Sequence, residues 1–248
     1  MEIYPSLISS DLLNLRQTIS ELDTVCHGYH IDIMDDHFVP NLTWGAQFVN
    51  AIRKATMLPL QIHLMVDEPT HWLDRLETNP KGAGFLQQDK TIPLHLQAPA
   101  LSYKPGNMPQ DTLFFHQETL PHENQQHEFI QAIHYKGFKA GIVINPHTAV
   151  ETILNTLPFV DTVLLMSVEP GFSGQKFITE ILKKIKPLVA FRQQHQRPLA
   201  ICMDGGINEN NINTLIQHEV DQIAVASAIF DTQDPLAALE KLYAHIRS

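Results

Sequence analysis

At 248 residues and 44% apolar, the chain is long enough to bury a large core and matches the size of a (β/α)8 barrel, about 250 residues. Its formal charge of −10, with no cluster of Lys and Arg interleaved with aromatics, argues against a nucleic-acid partner. No apolar run approaches the roughly 18 residues of a membrane span, and Cys26 and Cys202 lack the spacing of a metal ligand pair or a disulfide scaffold.

The opening Met1-Glu2-Ile3-Tyr4-Pro5 enters a strand without a charged-then-apolar leader, so an unexported protein of a reducing cytoplasm is expected. Apolar and β-branched runs predict strands near 3–8, 29–34, 59–65, 112–116, 139–144, 160–166, 199–203 and 221–225. Between them, amphipathic patterns predict helices near 11–24, 45–55, 69–77, 124–136, 148–156, 176–194, 208–217 and 235–247. Strict β-then-α alternation implies parallel strands joined by right-handed crossovers. Eight such units at this length predict an α/β fold, a closed TIM barrel spanning 1–248 as a single domain.

One segment breaks this rhythm. Residues 78–111 carry Pro80, Pro93, Pro99, Pro105 and Pro109 with Gly82, Gly84 and Gly106, too many breakers for an ordinary connection. It reads as an insertion between strands 3 and 4, either a lid or subunit contact or a tolerated surface excursion.

Chemistry-bearing residues collect at the ends of the apolar runs. His30 and Asp32 are two apart on one predicted strand and share a face, His63 closes a second run and Asp204 a third, just before Gly205-Gly206. A lone His in a strand is usually a hydrogen-bonded core residue, and this chain has 14 of them. A barrel changes the reading, because its chemistry sits at the carboxyl ends of the strands, where all four can face one mouth. Mixed nitrogen and oxygen donors favour one divalent ion of the Zn²⁺, Fe²⁺, Mn²⁺ or Co²⁺ kind. Other strand ends are polar or small: Ser9 after strand 1, His116 and Glu118 after strand 4, and Asn145-Pro146 after strand 5. The loop Met166–Gln175 with Gly171 and Gly174, the Gly205-Gly206 pair and Ala226-Ser227 form neighbouring turns whose backbone amides suit a phosphate.

The stretches Pro5-Ser6-Leu7-Ile8-Ser9-Ser10-Asp11, His30 through Asn41, His63-Leu64-Met65-Val66, Asn145-Pro146, Met166 through Phe177 and Asp204-Gly205-Gly206-Ile207-Asn208 together resemble the ribulose-phosphate 3-epimerase family. The resemblance covers all but the 78–111 segment. It implies that His30, Asp32, His63 and Asp204 bind a divalent metal, with Asp32 and Asp204 as the acid/base pair. It also implies that Ser9 and His63 contact the sugar, that Met34, Met65 and Met166 line the centre, that Gly171 belongs to the substrate-binding set, and that the amides of Gly174, Gly205, Gly206, Ala226 and Ser227 meet the phosphate.

The expected activity is interconversion of D-ribulose 5-phosphate and D-xylulose 5-phosphate, in pentose phosphate metabolism. A small phosphorylated ketose and further copies of the same chain are the expected partners. Ala226 and Ser173 stand where the family usually has Gly, and Asp36 where Gly or Asn is common. Asp35 and His37 are expected to make local hydrogen bonds rather than bind metal. Both Ile92-Pro93-Leu94-His95-Leu96-Gln97-Ala98 and Phe114-Phe115-His116-Gln117-Glu118 resemble the fourth strand, the second with better downstream spacing. Two alternatives stay open: an epimerase for a six-carbon ketose phosphate such as D-allulose 6-phosphate, and a non-catalytic sugar-phosphate-binding protein.

Overall fold

Along the run Tyr29–Met34, alternate side chains go to opposite faces. Ile31 and Ile33 face outward into the same buried cluster as Val49 and Ile52, while His30, Asp32 and Met34 occupy the other face. With both faces covered, all six residues are buried, as parallel strands flanked by helices require. The computed structural model describes residues 1–78, 110–196 and 198–247. Eight strands follow this logic: β1 (Glu2–Pro5), β2 (Tyr29–Met34), β3 (Leu60–Met65), β4 (Thr112–His116), β5 (Lys139–Ile144), β6 (Thr162–Met166), β7 (Ala200–Asp204) and β8 (Gln222–Val225).

All the strand pairings are parallel, in the order β1-β8-β7-β6-β5-β4-β3-β2, and a parallel bridge between Ser6 and His30 joins the two edges. The result is the barrel expected from the alternation. Its larger core lies between strands and helices, and a smaller one fills the barrel with Phe114, Val143, Leu164, Met166, Val168 and Cys202. Gly141 makes room for that filling, since a Cβ there would sit 2.2 Å from the Phe114 ring.

The helices are α1 (Leu15–Leu22), α2 (Ala46–Arg53), α3 (Glu123–Lys136), α4 (Ile185–His195), α5 (Ile212–Gln217), α6 (Ser227–Phe230) and α7 (Pro235–Arg247). Among the described residues no helix is long and apolar enough to cross a membrane.

Departures from the expected elements have local causes. The first strand stops at Pro5 instead of residue 8, because the chain turns into a 3-10 helix over Leu7–Ser9. The first helix starts at Leu15 rather than 11, because the Asp11 carboxylate accepts from the Leu13 amide and the Asn14 side chain and holds a turn. The predicted helix 176–194 divides into a 3-10 segment, Thr179–Lys184, and α4; Pro187 lacks the donor an interior position needs but fits the first turn of α4. Near 69–77 and 148–156 the chain forms 3-10 helices, Pro69–Arg75 and Val150–Ile153. α5 begins four residues late, after a turn closed by Asn208 and Asn211 side chains. Helix α6 has no counterpart among the expected elements.

The fourth strand is the Thr112–His116 segment; His95 and most of the 78–111 insertion lie outside the described residues. Where the chain returns to the barrel, the buried Asp111 accepts from Arg53 at 2.6 Å and from the Leu60 amide at 2.8 Å. Arg53 also donates to the carbonyls of Thr56 and Leu58, at 2.5 and 2.8 Å. This clamp ties the start of β4 to α2 and β3.

Candidate active site

Strands β2, β3 and β7 bring the four predicted ligands together. Only Asp204 ends its strand; His30 is second of six in β2 and His63 fourth of six in β3, so the expectation of strand-end positions holds for one residue alone. The reason is the stagger of the barrel. Asp32 and His63 are direct partners across β2 and β3, whereas His30 pairs with Gln61 one layer deeper and reaches the site with the length of its imidazole.

One donor atom from each of His30, Asp32, His63 and Asp204 lies within 4.8 Å of every other. His30 Nε2 is 3.1 Å from Asp32 Oδ1, 3.3 Å from His63 Nδ1 and 3.6 Å from Asp204 Oδ2. His63 Nδ1 is 3.1 Å from Asp32 Oδ1 and 3.6 Å from Asp204 Oδ2. A tetrahedron with bonds of about 2.0–2.1 Å has edges of about 3.3–3.4 Å. These separations therefore fit one small divalent ion.

The electrostatics agree. Burial alone would depress the His30 imidazole, but the Asp32 and Asp204 carboxylates outweigh it and push His30 up to about 9. Burial would raise the Asp32 carboxyl, yet His30 and His63 reverse this and hold it well below the usual carboxylate range. The cluster thus draws positive charge into a place from which water is largely excluded. The Gln61 amide oxygen faces His30 Nδ1 at 3.0 Å, an arrangement that in neutral His30 would put the proton on Nδ1 and leave Nε2 as the lone-pair nitrogen toward the cluster. The Gln61 amide nitrogen in turn donates to Gln222, and Gln222 donates to Glu2.

Around the cluster, Met34, Met65 and Met166 line the cleft with Asp32 and Asp204, as expected. Gly171, Gly174, Gly205, Gly206, Ala226 and Ser227, the residues expected around a phosphate, line the same cleft. Gly206 has φ +62, and a Cβ there would stand 2.6 Å from the Phe177 amide nitrogen and 2.8 Å from the Gln175 carbonyl oxygen. Only glycine fits this turn without moving its neighbour. Ala226 has φ −105, outside the left-handed region that favours glycine, and Ser173 is not among the residues of positive φ. Asp36 has φ 58, the left-handed geometry that Asp tolerates.

The serine of the first turn is the main difference from the sequence reading. Ser9 is directed to Ser173, with the two hydroxyl oxygens 2.7 Å apart, while Ser6 lines the cleft and donates to Asp32 Oδ2 at 2.6 Å. The early end of β1 is the cause, and no periodicity signal marks it. Asp35 and His37 stay local: the Asp35 carboxylate accepts from the amides of His37, Phe38 and Asp67, and His37 Nδ1 faces the Asp35 carbonyl. His116 is fully buried beside His63, and burial lowers it to about 4. Gln61 is a further functional residue that the sequence reading does not single out, although its position two residues before His63 puts it on the same face.

Comparisons with known proteins agree with this geometry. A family model described as the ribulose-phosphate 3 epimerase family matches residues 2–91 and 100–230. The ribulose-phosphate 3-epimerase of Bacillus subtilis is 35% identical over 244 residues, 98% of each chain. That of Aquifex aeolicus is 37% identical over 243 residues, 97% of this chain and 94% of the relative. Among solved structures, KGPDC from Streptococcus mutans in complex with D-R5P superposes with a TM-score of 0.64 at 11% identity, covering 99% of this chain and 97% of that one. A 3-hexulose-6-phosphate synthase from Salmonella typhimurium gives 0.60 at 15%, covering 100% and 99%. Identities this low speak for the barrel alone, whereas the full-length sequence matches decide the family: the chain belongs to the ribulose-phosphate 3-epimerases.

Proposed function

We propose that the chain epimerises D-ribulose 5-phosphate at C3 to D-xylulose 5-phosphate, with one divalent ion of the Zn²⁺, Fe²⁺, Mn²⁺ or Co²⁺ kind held by His30, Asp32, His63 and Asp204. The convergence of two carboxylates and two imidazoles beside a cleft with glycine-rich turns is the observation that carries it. Inverting a carbon beside a ketone takes a proton off one face and returns one to the other. Asp32 and Asp204 suit these roles, since they enter the cleft from β2 and β7, strands separated by β1 and β8.

Asp32, kept ionised by His30 and His63, is in the form a base needs and takes the proton on one face; Asp204 delivers one on the other face, and the roles exchange in the reverse direction. When bound, the divalent ion supplies positive charge beside the oxygens that become negative as the C3 proton leaves. Ser6 presents a polar group to the sugar, whereas His63, fully buried and absent from the cleft lining, serves the ion and not the sugar; the Ser9–Ser173 contact holds together two lips of the cleft. Met34, Met65 and Met166 offer polarisable sulfur and no competing proton. Backbone amides of Gly171, Gly174, Gly205, Gly206, Ala226 and Ser227 take the phosphate. The reaction belongs to the pentose phosphate route in the cytoplasm. A homo-oligomer is supported by the exposed Leu12 and Leu13 that follow the first turn and is tested by sedimentation.

The family relatives favour a five-carbon substrate over D-allulose 6-phosphate and over binding without turnover. The test is kcat/KM on both sugars with protein stripped by chelator and reloaded with each metal. Turnover of D-ribulose 5-phosphate by the reloaded protein, lost in folded Asp204→Asn, is expected. Tight binding without turnover refutes the reading.

A further inference from the structure

His63 faces the ligand cluster with Nδ1 and turns Nε2 away from it, to 2.9 Å from Nε2 of His116. Two imidazole nitrogens at this distance share one proton, so one donates and the other accepts. A ligand nitrogen offers its lone pair. With Nδ1 committed to the cluster, the proton of neutral His63 sits on Nε2, and His116 is the acceptor. The remaining proton of neutral His116 then lies on Nδ1, which faces Glu118 Oε2 at 3.4 Å.

The surroundings are built to hold this order. His116 is completely buried, its ring lying nearly parallel to that of His63 at 5.0 Å between centroids, with Phe38 packed against it at 4.6 Å. It does not line the cleft. His116 Nδ1 and Glu118 Oε2 are both buried, neither has a hydrogen-bond partner among the described residues, and they face each other at 3.4 Å, so each is placed to meet the other's need. Glu118 Oε1 accepts from the Asn145 amide at 3.0 Å and from the Thr148 hydroxyl. Lys184 ties the same loop down by donating to the carbonyls of Asn145, Pro146 and Thr148, at 2.9, 2.7 and 2.6 Å.

We infer that His116, oriented by Glu118, is a positioning residue that fixes His63 as the tautomer presenting Nδ1 to the metal. The inference rests on the four-residue cluster being a metal centre. Outer partners of this kind govern affinity because a ligand held in the wrong tautomer must first exchange its proton; removing one typically weakens metal binding about 10- to 100-fold.

The test measures Zn²⁺ affinity by chelator competition, independently of turnover, on wild-type protein and on His116→Phe and His116→Gln. His116→Phe keeps bulk but removes the acceptor, and about 10- to 100-fold weaker binding is expected. His116→Gln restores an amide oxygen that can accept from His63 Nε2, and it should recover most of the loss. Nitrogen-15 imidazole spectra of the Zn²⁺-loaded wild type should show His63 protonated at Nε2 and His116 at Nδ1, a readout that does not depend on either variant folding. Equal affinity in folded His116→Phe, a His116→Gln no better than His116→Phe, or His63 protonated at Nδ1 overturns the inference. Wild-type protein that binds no Zn²⁺ overturns the metal centre itself, which separates the two failures.

Discussion

Replacing Gly206 with alanine should strike fold and substrate binding together. Holding alanine at φ +62 costs about 1–2 kcal/mol. The added methyl also meets backbone: Phe177 N at 2.6 Å, Gln175 O at 2.8 Å and Phe177 Cα at 3.0 Å. None is the free end of a side chain, so the 175–177 segment must shift, at a further cost of about 1–3 kcal/mol. The total is about 2–5 kcal/mol, measured by urea unfolding of the metal-free protein. Because Gly174 immediately precedes the displaced segment, KM for D-ribulose 5-phosphate should rise at least about tenfold, with kcat changed less. A variant destabilised by under about 1 kcal/mol with unchanged KM would show that Gly206 neither packs against this segment nor shapes the phosphate turn.

Two serines separate the readings of the first turn. Ser6→Ala removes a hydrogen bond to the Asp32 carboxylate and should lower kcat/KM about 10- to 100-fold, whereas Ser9→Ala should stay within about threefold; the reverse ranking would return the sugar contact to Ser9. Arg53→Leu removes the cation that faces the buried Asp111 carboxylate and should cost about 3–5 kcal/mol in chemical denaturation, and a loss under about 1 kcal/mol would mean that the clamp does not help to determine the fold. Burial acts to raise Glu118, but the facing His116, the Thr148 hydroxyl and the Asn145 amide outweigh it and bring it down to about 2 from 4.5. A depressed folded-state value stabilises above the unfolded value and is lost on acidification, so this contribution, at most ~3 kcal/mol, should disappear between about pH 4.5 and 2. Acid titration of stability should be flatter in that window for Glu118→Gln, and identical slopes would contradict the prediction.

Strand positions are legible because each inner residue repeats at period two and each outer one is apolar. β2, β4 and β5 begin and end where the pattern puts them. Helix starts are less legible, because side chains such as Asp11 and Asn208 compete for backbone amides and replace the first helical turn. The four ligands are readable as residue types at plausible strand positions. Their depth is not, since the stagger that lets His30 join from a lower layer is a property of the closed barrel. The roles of Gln61 and His116 are hidden for a related reason: their importance comes from what they face across β2, β3 and β4, and those contacts have no local signal.

The most direct measurement is the fate of the C3 hydrogen in D₂O. Metal-loaded protein turning over D-ribulose 5-phosphate should place one solvent-derived deuteron at C3 of the D-xylulose 5-phosphate formed, and folded Asp204→Asn should not. Product formed without deuterium at C3, or no exchange by the metal-loaded wild type, would contradict proton transfer between Asp32 and Asp204.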